Sequence, residues 1–76
     1  MTWEERITAA PEVLGGKPVI RGTRVAVEFV LDLLGGGWSE QDVVDNYPGI
    51  HAEDVRACLL YARAVLSEER VLPLAG

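Results

Sequence analysis

The chain has 76 residues, 49% of them hydrophobic, with 7 Lys+Arg against 12 Asp+Glu for a formal net charge of -5. Its single cysteine, Cys58, excludes an internal disulfide, no apolar run approaches the roughly 20 residues that span a bilayer, and the acidic balance opposes non-specific attraction to nucleic-acid or lipid phosphates. One small domain in the cytoplasm is the expectation, with self-association as the means of hiding apolar surface that so short a chain cannot bury alone.

In chain order, residues 1–26 read as an N-terminal arm and β-hairpin, 27–69 as a three-helix part and 70–76 as an apolar tail. Thr2 with Glu5 three residues on has capping-box spacing, but the segment is too short for more than one turn, which sets Trp3 on the core or on a second subunit. Ile7-Thr8 is a short strand candidate before Pro11, and Val13-Leu14 is a further apolar contact. Val19-Ile20 and Arg24-Val25 are short strand pieces around the turn residues Gly22 and Thr23, so they predict a small hairpin. Val19, Ile20 and Trp3 are the candidate dimer contacts, since a sheet this small needs extension across a second copy.

Val27 to Leu34 carries six large apolar residues, with Glu28 and Asp32 the only charges. At 100° per residue those two lie within about 40° of each other, so the rest of the helix is expected to be buried. Gly35-Gly36-Gly37 stops it. Ser39 then caps a brief helix with Asp42 three residues later, Val43, Val44 and Tyr47 form its apolar side, and Pro48-Gly49 ends it. Ile50 and Val55 have hydrophobic-staple spacing across the start of a third helix that runs to about Glu69. Its core stripe is read as Val55, Leu59, Ala62 and Leu66, widened by Cys58 and Val65, which leaves Leu60 outside beside Arg56, Arg63 and Ser67. The fold class predicted is α+β, mainly α.

The run GGKPVIRGTRV at residues 15–25, the helix after it, Ser39 to Val43, Tyr47-Pro48, and Ala52 to Val55 on through Tyr61-Ala62 resemble the family known as domain of unknown function 433 over roughly residues 7 to 65. Ala26 replaces a proline usual in that family, and His51 a threonine or another good helix cap. The resemblance implies a hairpin followed by a homeodomain-like helix-turn-helix part. It also implies an antitoxin-like role, since members are small bacterial and archaeal proteins often encoded beside a PIN-like nuclease toxin.

Little in the residues suggests catalysis. Gly15-Gly16-Lys17 is followed by Pro18 and a strand, where a phosphate loop needs separated glycines and a Ser or Thr opening a helix, so it reads as a tight turn. His51 and Cys58 are the only residues of their kinds, short of the three or four ligands a zinc site draws on. Glu40, Asp42, Glu53 and Asp54 sit in first helical turns, where the dipole stabilises carboxylates, and Asp45 on a polar face. No enzyme, metal, cofactor, small-molecule substrate or membrane partner is expected.

What remains is contact with macromolecules. Lys17, Arg21 and Arg24 form a basic patch at the hairpin, either a solvated turn paired to nearby acids or a contact to phosphate or protein. His51 and Arg56 are the donors at the start of the third helix, where a helix-turn-helix reader would meet DNA, although Glu53 and Asp54 would face phosphates there. Leu60, Leu72 and Leu74 are candidate apolar anchors for a partner. The leading expectation is a homodimeric, non-enzymatic antitoxin-like protein that masks a PIN-like ribonuclease in a type II toxin-antitoxin pair; the alternatives are a dimeric helix-turn-helix regulator and a structural dimer.

Overall fold

Ile7–Thr8 (β1) and Val19–Ile20 (β2) pair antiparallel, with Ile7 opposite Ile20 and Thr8 opposite Val19. A computed structural model describes residues 2–68, and after this two-stranded sheet come three helices, Val27–Gly35 (α1), Glu40–Asn46 (α2) and Ala52–Glu68 (α3). The fold is α+β and mainly helical. The tail anchors Leu72 and Leu74 lie outside the described residues.

The sheet differs from the expected hairpin. β2 finds its ladder partner in β1, while the return limb touches it through a Val19–Ala26 bridge and a hydrogen bond from the Ile20 N–H to the Val25 carbonyl at 2.9 Å. Thr23 is the reason Arg24-Val25 is no strand. Its hydroxyl donates to the Ile20 carbonyl at 2.7 Å and accepts the Val25 N–H at 3.0 Å, so local side-chain bonds take groups that a longer ladder would use. Gly22 at φ +81° supplies the left-handed residue this turn needs. The segment before β2 turns on Leu14 (φ +48°), Gly15 (φ +67°) and Gly16 (φ +89°). There Leu14 is exposed and so contributes no core contact, correcting the Val13-Leu14 expectation.

α1 stops at the glycines as its sequence requires. The Gly36 N–H donates to the Asp32 carbonyl at 2.9 Å, the Trp38 N–H to the Leu33 carbonyl at 3.0 Å, and Gly37 takes φ +102°. Its burial is narrower than its composition suggests: Val27 and Val30 are buried, Leu31, Leu33 and Leu34 half-buried, and Phe29 exposed, its ring edge-on to Tyr47 at 5.5 Å. A single chain has too few elements to cover both flanks of so apolar a helix.

α2 carries a closed capping box, with the Ser39 Oγ accepting the Asp42 N–H at 3.0 Å and the Asp42 carboxylate accepting the Ser39 N–H at 2.8 Å. Hydrogen bonding to the carboxylate from the Ser39 backbone first and from the Ser39 side chain second holds the Asp42 carboxyl below its ordinary range. Val43, from α2, and the staple pair Ile50 and Val55 complete a core of Ile7, Ile20, Val27, Val30, Ala57 and Cys58. The large rings sit at its margin. Trp3 packs edge-on against Tyr61 with ring centres 5.1 Å apart, and Trp38 lies 6.1 Å from Tyr47.

α3 is rotated relative to the predicted stripe. Asp54, Val55, Ala57 and Cys58 face inward, whereas Leu59 and Leu66 are 48% and 59% exposed. The core arc is centred near the line of Asp54, Cys58, Tyr61 and Val65, so the two leucines fall on its edge.

Candidate interaction surface

α3 is anchored through Asp54. As the third residue of the helix's N-terminal frame, its Oδ2 accepts the His51 N–H at 2.9 Å, the reciprocal half of a capping box whose other half a histidine does not supply. Its Oδ1 accepts from Arg6 Nη1 at 2.8 Å, and the side chain is only 6% exposed against 29% for Arg6. This ion pair ties the arm before β1 to the helix 48 residues later. Sequence reasoning placed Asp54 at a helix start and stopped there; no local pattern pairs it with Arg6.

With α3 so oriented, its outward face is polar along Arg56, Arg63 and Ser67 and carries leucine on both edges. On one edge Leu60, 47% exposed, lines a notch of about 160 Å³ with Trp3, Glu53, Arg56 and Ala57. On the other edge are Leu59 and Leu66, and Leu66 borders a groove of about 430 Å³ between α1 and the second half of α3, lined also by Val27, Leu31, Tyr61, Ala62 and Val65, with Lys17 and Glu28 on its rim. Leu60, a candidate anchor, is thus exposed. The larger groove exists because α1 and α3 both carry more apolar side chains than their mutual contact covers.

The predicted basic residues do not converge. Lys17 bonds Glu28 on the groove rim, and that carboxylate raises its pKa by hydrogen bonding first and by charge second. Arg21 lies on the surface across the first turn of the chain, Nε donating to the Glu5 carbonyl at 3.1 Å and Nη2 to the Glu4 carbonyl at 3.3 Å. Arg56 reaches Glu40 with Nε at 3.2 Å and Nη2 at 3.3 Å, pinning α3 to α2. His51 is exposed at the start of α3, and Arg24 is exposed at the turn with no ion-pair partner among the described residues.

The candidate dimer contacts need correction. Val19 and Ile20 are each 2% exposed and belong to the chain's own core, so their side chains cannot also meet a second copy. Trp3 is half-buried on Tyr61 of the same chain. Among the described residues no three His, Cys, Asp or Glu side chains gather as metal ligands, and no helix is long and apolar enough to cross a membrane.

Cys58 lies under α3 with its thiol pushed up to about 12, by burial first and by the Asp54 carboxylate second. Because thiolate is the reactive form, Cys58 is expected to resist a thiol reagent at pH 8 in the native protein and to react promptly in urea. The unfolded thiol ionises near 9.0. Between that pH and 12 the unfolded chain loses a proton the folded one keeps, so this group makes stability fall as pH rises across that window. Native labelling at the urea-state rate would mean that the thiol is open to solvent.

The family model described as protein of unknown function (DUF433) matches residues 7–62. The uncharacterised protein y4eO of Sinorhizobium fredii is 40% identical over 60 residues, which are 79% of this chain but 27% of that protein. A crystal structure of a DUF433 member protein from Anabaena variabilis matches with a TM-score of 0.76 and 32% identity, over 83% of this chain and 62% of that one. The chain thus spans less than two thirds of the length of either relative.

Proposed function

The chain belongs to the DUF433 family, and on that premise we propose that it is a non-enzymatic, antitoxin-like interaction protein that binds and masks a PIN-like ribonuclease. The observation that carries this reading is the Leu60 edge of α3: an exposed leucine beside an apolar notch, with Glu53 on its margin, in a chain of net charge -5. A ribonuclease binds RNA through positive charge. An acidic surface is drawn into that field, and a desolvated apolar anchor then supplies most of the affinity. Arg6, Lys17 and Arg56 are each paired with one of the chain's own acids, and the excess of acids that gives the net charge of -5 remains.

The helix-turn-helix alternative has the order of α2 and α3 in its favour. Against it, Arg56 is held by Glu40 and Arg21 by backbone carbonyls, and exposed Glu53 stands at the start of α3 where phosphates would lie.

The test mixes the purified protein with a PIN-like nuclease whose gene adjoins its own. Ribonuclease activity is expected to vanish near equimolar protein, Leu60→Asp to weaken the complex about 30-fold, equivalent to about 2 kcal/mol, and Arg24→Glu to change it less than about threefold. Full nuclease activity in excess protein, together with promoter binding that falls steeply with salt, would replace this reading with the regulator.

A further inference from the structure

We propose that a second copy of this chain covers the α1–α3 groove, in a two-fold arrangement where the Leu59–Arg63–Leu66 ridge of each copy closes over the groove of the other and Arg63 faces the partner's acidic α1 rim. This goes beyond the nuclease-masking reading and uses the opposite edge of α3.

The surface carries both halves of such a contact. Its ridge is apolar at Leu59 and Leu66, seven residues and so two turns apart, with Arg63 between them. Its groove is apolar at Val27, Leu31 and Val65 with Glu28 on the α1 side, and exposed Asp32 lies one turn beyond Glu28 on the same face of α1. Neither Arg63 nor Asp32 forms an ion pair among the described residues. Lys17 already occupies Glu28, which leaves the Asp32 carboxylate, one turn beyond the rim, as the α1 charge to meet a guanidinium. A patch holding ridge, groove, cation and anion is self-complementary, as an isologous interface requires: each element meets its counterpart twice across the axis. A basic ridge meeting an acidic rim also explains why the occupant should be this chain itself. Leu60 lies on the other side of Arg63 from this ridge, about 100° from Leu59 and about 120° from Leu66.

The test is a charge swap read by light scattering coupled to size exclusion at micromolar concentration. Wild type is expected at twice the 8.3 kDa chain mass. Arg63→Glu alone sets a carboxylate against the partner's Asp32, and Asp32→Arg alone sets a guanidinium against Arg63, so each variant is expected to dissociate with at least a tenfold weaker Kd. Mixed one to one, the two variants restore both ion pairs, and dimer mass is expected to return. Both sites are exposed, and circular dichroism of each variant checks that the helices persist. A monomeric wild type, a dimer indifferent to either swap, or a mixture that stays monomeric would each overturn the proposal. Nuclease masking, which is read through Leu60→Asp, is scored separately and stands or falls without it.

Discussion

Asp54→Ala is expected to destabilise the protein by about 3 kcal/mol, the lower end of the range for breaking a buried ion pair because Arg6 keeps some contact with water. The substitution removes at once the acceptor for Arg6, the acceptor for the His51 N–H and the tie between the arm and α3. Domains are stable by about 5–15 kcal/mol and small ones sit low in that range, so this is a large share of the total. At about 4–8 °C per kcal/mol in a chain of this size, thermal unfolding should shift downward by roughly 15 °C. Arg56→Ala, which breaks the exposed pair with Glu40, serves as the contrast and should cost no more than about 1 kcal/mol. Equal losses for the two variants in urea titrations would show that the Arg6–Asp54 bond does not anchor the fold.

Ile50→Ala should have an effect of the same size. Ile50 is 1% exposed, it precedes the cap of α3, and it packs in one cluster with Val55, Val43 and Val30. Truncation removes three carbons from a site that neighbouring β-branched side chains cannot easily refill, at about 3 kcal/mol. It also frees the chain's approach angle to α3, so helix content near the midpoint should fall earlier than tertiary signal from the Trp3–Tyr61 contact would suggest. Leu60→Ala, the same helix but an exposed leucine, should change the unfolding midpoint by less than about 1 kcal/mol equivalent. If Leu60→Ala proved the more damaging of the two, α3 would face its core along a different line.

Helix starts, caps and the strands Ile7–Thr8 and Val19–Ile20 could be read locally. Ser39 and Asp42 close their box across three residues, the triple glycine cannot continue α1, and Ile50 with Val55 brackets the start of α3; each signal and its consequence lie within one turn of chain. The family resemblance over the hairpin and helices was legible too, and it carries the family membership and mainly helical α+β fold. Which side of α3 faces inward was not. Periodicity finds an apolar arc, but this helix has apolar residues from Val55 round to Leu66 and again at Leu60, wider than its contact with α1, α2 and the arm, so several rotations satisfied the pattern.

By itself the sequence determined everything that depends on neighbours a few residues apart: where helices start and stop, the acidity of the surface, and an excess of apolar side chains over what a single small core can hold. Tertiary structure alone decided the pairing of Arg6 with Asp54, the partnering of β2 by β1 in place of the segment after Gly22, the engagement of Arg21 and Arg56, and which leucines stay exposed. The reason is physical. A capping bond competes only with water and the adjacent backbone, whereas the rotation of α3 is chosen by the summed packing of all its neighbours and by the one carboxylate, Asp54, that must find a cation when buried.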